Sequence, residues 1–406
     1  MDLRRMRQSV KDRLSLMEER EIIRELITRA PPRCFTCSPS YQPLRTGAPQ
    51  MEMVNVQRRR TSSLPRLLGV AMSDVDSGQA VRDRRLVLDV DCGVDDALAL
   101  ILALSLHSTV EAVTCVAGNT TVQNVVKNVR RVLAVCGRSE IPVYRGCEQP
   151  LSQPLDLADE YHGCDGLGGV SDQFACSDDG DLEDEEDDGS VAGRPVHAAE
   201  KLIAMARTDP GQITLLLLGP LTNAALALTL DPRFGANLKE IFILGGNVEG
   251  RGNVLPGAEY NFKTDPEAAN VVLTGAQCPI TIVPWEAVVK SPIPWEVYSM
   301  MTRQDTAKSR FVRAITRFSL GYYDKSGSSG YEVGDALVVA AVLAPDSVAS
   351  ALEERRVAVE LSGTHTRGQL VHAWTPDLLP DVKRTVRVVT SFNKERVSEL
   401  LMRMVV

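Results

Sequence analysis

Short apolar runs alternate with helical segments along most of this chain, and this alternation restricts the fold more than any other feature. Residues 86–90 form the first apolar run, and a helical pattern follows over residues 95–106. The pattern repeats at 110–116 and 122–136, with further apolar runs at 141–144, 213–218, 240–244 and 278–283. Buried strands separated by helices are typical of βαβ units. We therefore predict a single α/β domain with a mainly parallel central sheet flanked by helices and a Rossmann-like core.

Charge divides the 406 residues into two parts. Residues 1–82 carry 15 Lys and Arg residues against 9 Asp and Glu residues, whereas residues 83–406 carry 30 against 44. Residues 1–30 have the pattern of a charged helix with an imperfect apolar face, and residues 31–82 are rich in Pro, Ser, Arg and Gln and show no sustained hydrophobic period. We therefore predict that residues 1–82 form a basic, largely disordered N-terminal extension. Residues 83–406 form the predicted domain, in which the strongly acidic stretch 177–189 is interpreted as a solvated loop insertion.

The composition also limits the partners and the location that we expect. A net charge of −8 argues against binding to nucleic acid or to an anionic membrane. No uninterrupted apolar run approaches the roughly 20 residues that span a bilayer. The nine cysteines are an odd number spread over a long chain, unlike a disulfide framework, which favours a reducing, cytoplasmic location.

Four carboxylates, those of Asp89, Asp91, Asp95 and Asp96, fall within eight residues at a predicted strand-to-helix junction. Capping of the helix N-terminus would explain one or two of them. Four clustered carboxylates repel one another, which raises their pKa values unless a cation offsets the repulsion. Ligation by oxygen alone suits Ca²⁺ or Mg²⁺, and the short flexible turn with its surplus of oxygens favours Ca²⁺.

A second hypothesis comes from the same stretch. An apolar strand that ends in Asp-x-Asp also occurs in Mg²⁺-dependent phosphatases that form an aspartyl-phosphate. Those enzymes usually have Thr or Val two residues after the second Asp, where this chain has Gly93. The sequence also lacks a convincing later acidic pair to complete their metal site, so the phosphatase is the alternative enzyme.

The stretch DVDCGVDDALA at residues 89–99 resembles the DxDxGxDDAxA signature of the inosine–uridine-preferring nucleoside hydrolases. The resemblance extends over residues 84–392 and includes several further motifs in the order of that family. These motifs are VAGN at 116–119, HGCDGL at 162–167, GPLTN at 219–223, AEYN at 258–261, DPEA at 265–268 and TRGQ at 366–369. Each motif is weak by itself, but their order and spacing are specific.

The resemblance implies Ca²⁺-dependent hydrolysis of ribonucleosides to ribose and free base. It implies that Asp91, Asp96 and Asp335 bind the ion through their carboxylates and that Leu218 binds it through its backbone carbonyl. Asp91 matches the catalytic general base that deprotonates the attacking water. A small-molecule ribonucleoside is the expected partner, and the family implies a homodimer or homotetramer.

The resemblance also implies a sugar pocket. Asp95, Asn261 and Asp335 match positions that bind the 2′- and 3′-hydroxyls of ribose. Asn253 and Glu259 match positions at the 5′-hydroxyl. Asn119 is expected beside the sugar, and Leu244 stands where some members have Met, which completes the expected substrate-binding residues.

One position departs from the family pattern. Members usually have a His directly before the third metal-binding Asp, where it helps to protonate a departing purine, and this chain has Gly334 there. Tyr331 and His162 are alternative proton donors. A relative that binds ribose or nucleosides with little or no turnover is therefore a further alternative, although retention of Asp91 favours catalysis.

Overall fold

The computed structural model describes residues 84–106, 109–174, 195–326 and 328–406. The predicted N-terminal extension and the acidic insertion lie outside the described residues, so both stay predictions. Within the described part of the chain, no helix is long and apolar enough to cross a membrane.

An eight-stranded sheet forms the centre of the molecule, in the order β3-β2-β1-β4-β5-β6-β12-β9. All neighbouring pairs are parallel except β12 and β9, which are antiparallel at one edge. The strands are β1 (Arg85–Val90), β2 (Thr109–Cys115), β3 (Val143–Arg145), β4 (Ile213–Leu217), β5 (Glu240–Leu244), β6 (Ile280–Val283), β9 (Ala349–Arg355) and β12 (Val386–Phe392). Two short pairs, β7 (Ile293–Pro294) with β8 (Gly330–Tyr331) and β10 (Val357–Val359) with β11 (Leu370–His372), lie outside it.

Helices cover both faces of this sheet. They are α1 (Val94–Ser105), α2 (Val122–Val135), α3 (Asp159–His162), α4 (Ala198–Thr208), α5 (Thr222–Leu230), α6 (Phe234–Asn237), α7 (Tyr260–Thr264), α8 (Pro266–Gly275), α9 (Trp285–Lys290), α10 (Trp295–Thr302), α11 (Ala307–Ile315), α12 (Leu320–Ser326), α13 (Gly334–Leu343), α14 (Pro345–Val348) and α15 (Lys394–Met404). The fold predicted from the apolar alternation is therefore confirmed.

Side chains of β1 show how the sheet separates two hydrophobic cores. Leu86 and Leu88 are fully buried against α1, α2, α13 and α15, whereas Val87 is fully buried against α4, α5 and α8 on the other face. The alternation follows from the extended strand, in which successive side chains point to opposite faces. Because both faces are covered, the central strands β1, β4, β5 and β6 are mostly apolar.

The order of the strands predicts where a ligand binds. From β1 the chain proceeds to β2 and β3 on one side and then crosses to β4, β5 and β6 on the other. In open α/β sheets, ligands bind beyond the carboxyl ends of the strands at the point where this order reverses. Asp91, Asn119 and Leu218 follow the ends of β1, β2 and β4, and Leu244 ends β5.

Candidate active site

The turn between β1 and α1 brings three aspartates to the carboxyl edge of the sheet. Asp91 follows β1 directly, and Asp95 and Asp96 lie in the first turn of α1. Asp96 Oδ2 accepts a hydrogen bond of 2.9 Å from the Gly93 N–H, which closes the turn. A Cβ atom at Gly93 would lie 2.4 Å from His162 Nδ1, so the close approach of that ring requires glycine.

Asp335 completes the cluster from a distant part of the chain. It lies in the first turn of α13, a helix that packs against α1. Carboxylate oxygens of Asp95, Asp96 and Asp335 lie within 4.8 Å of one another. The Oδ1 atoms of these three residues and of Asp91 are buried and have no hydrogen-bond partner among the described residues. Unpartnered buried carboxylate oxygens are costly, so they indicate a ligand site.

Burial and mutual repulsion change the acidity of the cluster. Burial, reinforced by neighbouring carboxylates, raises the pKa of Asp91 and of Asp335 well above the usual range. Burial and then the charge of Asp95 raise the pKa of Asp96 to about 7, although the Gly93 N–H opposes this change. Without a cation, these groups would hold protons at neutral pH, whereas a bound cation lets them ionise together.

A hard divalent cation fits these donors, because the four unpartnered atoms of the cluster are carboxylate oxygens. The three carboxylates at ligand spacing include Asp95, which the sequence assigned only to ribose. Asp91, expected as a ligand, is absent from that group of three. Its Oδ2 accepts a hydrogen bond of 2.8 Å from the Asn119 N–H, and its Oδ1 stays unpartnered. The structure therefore adds Asp95 as a candidate ligand that its position in sequence did not reveal.

Asn119 orients two of the aspartates. Its backbone N–H donates to Asp91, and its side-chain Nδ2 donates to Asp96 Oδ2 over 3.1 Å. A Cβ atom at the preceding Gly118 would lie 2.2 Å from Asp91 Oδ2, so glycine is needed for this approach. Asn119, predicted to lie near the sugar, thus also holds two carboxylates of the cluster in place by hydrogen bonds.

Asn261 connects the ends of two strands. Its Nδ2 donates to the carbonyl oxygen of Leu218 over 2.7 Å and to that of Leu244 over 3.2 Å. The Leu218 carbonyl oxygen has two lone pairs, so one remains for an ion. The Leu244 side chain is half-buried. These three residues, separated by up to 43 positions, therefore meet at the carboxyl edge of the sheet.

The remaining two predicted residues differ in exposure. Glu259 is buried as the N-cap of α7, and its carboxylate accepts hydrogen bonds from the N–H groups of Gly246, Asn261 and Phe262. Burial raises its pKa to about 7 in spite of these three donors. Asn253 is exposed on the loop before Glu259, and its backbone N–H donates to the Ala258 carbonyl.

The carboxylate of Asp89, the first aspartate of the signature, is held by hydrogen bonds within the sheet. Its Oδ1 accepts hydrogen bonds from Thr114 Oγ1 over 2.5 Å and from Asn223 Nδ2 over 2.8 Å. Asn223 also donates to the Cys115 carbonyl, so this group connects β1, β2 and the start of α5. Side-chain directions alternate along an extended strand, so Asp89 and Asp91 lie on the same side. Asp89 holds neighbouring strands together, whereas Asp91 lies at the carboxyl edge of the sheet.

This chain lacks the His that nucleoside hydrolases usually have before the third metal-binding Asp, and three residues are relevant to its role: Gly334, Tyr331 and His162. A Cβ atom at Gly334 would lie 2.6 Å from Asp95 Oδ2, so this position is next to the carboxylate cluster. The Tyr331 hydroxyl lies 3.0 Å from Ser319 Oγ and is buried among other aromatic rings. His162 is buried, its Nδ1 accepts the Val94 N–H over 3.0 Å, and burial lowers its pKa. Neither alternative donor therefore presents an obvious acidic proton.

Comparison with known proteins agrees with this geometry. The sequence profile of the family described as inosine-uridine preferring nucleoside hydrolase matches residues 86–399. The chain belongs to this family. A relative from Shewanella woodyi, named pyrimidine-specific ribonucleoside hydrolase RihA, is 33% identical over 291 residues, which are 71% of this chain and 88% of the relative. The RihA of Escherichia coli K12 is 32% identical over 70% of this chain and 87% of its own length.

Solved structures of the family resemble this nucleoside hydrolase closely. A plant nucleoside hydrolase has a TM-score of 0.71 at 28% identity and matches 80% of this chain and 99% of its own. An inosine-guanosine nucleoside hydrolase has a TM-score of 0.69 at 31% identity and matches 79% and 98%. The family and the enzyme class expected from the sequence, a hydrolase of nucleosides, are thereby confirmed.

Proposed function

We propose that this chain hydrolyses the N-glycosidic bond of purine or pyrimidine ribonucleosides, or of both, with Ca²⁺ bound among its aspartates. The observation that carries the proposal is the group of four buried, unpartnered carboxylate oxygens at the point where the strand order reverses. In a member of this family, such oxygens suit both a hard cation and a sugar ring that becomes positively charged.

Asp91 is the proposed general base. Its Oδ1 is buried and unpartnered while the Asn119 N–H holds its Oδ2, so the carboxylate has a defined orientation and one oxygen for a proton of the attacking water. A bound cation makes a coordinated water more acidic and orients it. The proposed ligands are Asp91, Asp96, Asp335 and the Leu218 carbonyl, with Asp95 as the candidate that the geometry adds.

The sugar is the part of the substrate that the chain would recognise by hydrogen bonds. Asp95, Asn261 and Asp335 are proposed to bind the 2′- and 3′-hydroxyls, and Asn253 and Glu259 the 5′-hydroxyl. Asn261 is suited to this role because its amide nitrogen is held by two backbone carbonyls, which leaves its side-chain oxygen for a hydroxyl. Asn119 and Leu244 would complete the pocket. A deoxy substrate would leave buried polar groups unpaired, so it should be a poor substrate.

The test is a reducing-sugar assay with inosine, uridine, adenosine and cytidine, before and after exhaustive treatment with EGTA. We expect free ribose from at least one nucleoside, loss of that activity in chelator, and recovery on addition of Ca²⁺. Calorimetric binding of nucleosides without any ribose release would instead favour the binding relative. Release of inorganic phosphate from a sugar phosphate with Mg²⁺ would favour the phosphatase, which the family assignment does not support. A cytoplasmic location and a homodimer or homotetramer stay predictions.

A further inference from the structure

A row of polar side chains at the start of α2 faces the HGCDGL loop, residues 162–167. Thr120, which lies just before the helix, donates its hydroxyl to the Cys164 carbonyl over 3.1 Å. Asn124, four residues later, donates its Nδ2 to Thr120 Oγ1 over 2.9 Å and to the Cys164 carbonyl over 3.4 Å. These hydrogen bonds hold the loop to α2, but they do not reach the aspartate cluster.

Asn128, one helical turn further along α2, contacts two segments at once. The residue is 1% exposed, and its Nδ2 donates to the Asp165 carbonyl over 2.7 Å and to the Cys92 carbonyl over 3.2 Å. Asp165 belongs to the loop, whereas Cys92 lies between β1 and α1, in the segment 91–93 that we call the signature turn. An amide nitrogen carries two hydrogens, so Asn128 gives one to each segment.

The loop and the signature turn approach each other closely beside Asn128. A Cβ atom at Gly166 would lie 2.9 Å from Asn128 Nδ2 and 3.1 Å from the Cys92 carbonyl oxygen. Gly166 also has a φ of +80°, a conformation that favours glycine. The two backbones therefore pack together without a side chain at residue 166, and the Asn128 amide connects them by hydrogen bonds.

The loop contacts the start of α1 at a second place. His162 Nδ1 accepts the N–H of Val94, the first residue of α1, over 3.0 Å. The loop also has an internal support, because the Asp165 carboxylate accepts three N–H groups, those of Leu167, Gly169 and Ser171. A loop that is held from within and from α2 can serve as a firm support for the turn on which it packs.

Resting on the proposed function, we propose that Asn128 is a positioning residue for the cation site, because it holds the signature turn in the arrangement that binds the ion. The turn presents Asp91, and α1 presents Asp95 and Asp96 directly after it. In the ion-free protein these carboxylates repel one another, so the cluster opposes its own assembly. A backbone that is fixed before the ion arrives loses less conformational freedom on binding, which increases the affinity for the ion.

Asn128→Ala tests the proposal through binding of the ion itself. Removal of a side chain that orients metal ligands from outside typically lowers metal affinity by about 10–100-fold. We expect the dissociation constant of Ca²⁺, measured by calorimetric titration of protein stripped with EGTA, to rise by about tenfold. At saturating Ca²⁺, kcat for ribose release should lie within about threefold of the native value, because the bound ion then holds the turn and Asn128 does not touch the substrate.

Asn124→Ala is the matched control. It also removes an amide donor to the loop, one turn earlier on the same helix, but it leaves the hydrogen bond to the Cys92 carbonyl intact. The dissociation constant of Ca²⁺ should therefore be unchanged in this variant. Asn128→Ser keeps one hydroxyl donor in place of two N–H donors, so its affinity should lie between those of the native protein and Asn128→Ala. It carries the test if Asn128→Ala does not fold.

A merely structural role of Asn128 gives a different result. It would lower the free energy of unfolding in EGTA and leave the dissociation constant of Ca²⁺ unchanged. That result, or an equal loss of affinity in Asn124→Ala and Asn128→Ala, would overturn the inference while the proposed function stands. A native protein that binds no Ca²⁺ would refute the proposed function and this inference with it.

Discussion

Two groups of buried carboxylates lie at the same edge of the sheet and are stabilised in opposite ways. Glu259 and Glu286 each accept three backbone N–H hydrogen bonds, those on Glu286 coming from Val248, Glu249 and Arg251. In the aspartate cluster, four carboxylate oxygens have no partner among the described residues. Backbone donors are fixed by the fold, so the two glutamates hold the loop over residues 246–262 rigidly. The aspartates leave their oxygens for a ligand.

The comparison teaches that burial of an acid does not by itself indicate a functional site. Glu286 is as buried as Asp91, but its bonds to three successive parts of a loop give it a structural purpose. The informative observation is a group of buried oxygens without donors at ligand spacing, because a single one, Asp89 Oδ2, also occurs inside β1. If this distinction is correct, removing the carboxylate of Glu286 should affect stability, and removing one from the aspartate cluster should affect activity.

The largest expected effect is loss of catalysis in Asp91→Ala. We expect kcat for ribose release to fall by at least about 10³-fold, because the variant lacks the general base and one proposed ligand. The fold should survive, since the one hydrogen bond lost is that from the Asn119 N–H. Ribose release and thermal unfolding, measured on the same preparation, check both statements. Asp156→Ala, which removes an exposed partner of Lys263, is the control. Ribose release at the native rate by Asp91→Ala would refute its assignment as base.

A smaller effect, on stability instead of activity, is expected for Glu286→Ala. The substitution leaves three backbone N–H groups without their acceptor, so the free energy of unfolding should fall by about 3 kcal/mol. Glu249→Ala is a control in the same loop, because its exposed ion pair with Lys290 should contribute less than about 1 kcal/mol. Denaturant unfolding measures both. Equal losses in the two variants would contradict the distinction between bonded and surface carboxylates.

The smallest effect is the pH dependence of stability in the ion-free protein. The pKa values of Asp96 and Glu259 are each raised by burial to about 7 in the fold, above those of the unfolded chain. Between about pH 4.5 and 7 the folded protein therefore binds more protons than the unfolded chain, so stability should rise as the pH falls through this range. Saturating Ca²⁺ should reduce the slope, because the aspartates ionise around the ion, while the contribution of Glu259 remains. The test is to measure denaturant midpoints at about pH 5.5 and 7.5, once with EGTA and once with Ca²⁺. If stability changes with pH to the same extent in EGTA and in Ca²⁺, this result would argue against ion binding at the cluster.

Much of the fold and part of the site could be predicted from the sequence alone. The alternation of apolar runs and helices predicted the parallel sheet, because the period of apolar residues is a local property of each strand and helix. The spacing of Asp91, Asp95 and Asp96 likewise placed them at one turn, since only a few bonds separate them. Asp335 was assigned by resemblance, because no local pattern connects it to residues 240 positions earlier.

The tertiary structure alone decided which of the acidic residues lack partners. Sequence assigned Asp95 to the sugar, whereas the packing of α13 on α1 brings its oxygen within ligand distance of Asp96 and Asp335. Local periodicity and short motifs are properties of neighbouring residues, so the sequence determined the elements and the signature turn. Desolvation and the supply of hydrogen-bond donors depend on groups from distant parts of the chain, so the fold determined which carboxylates are free to act.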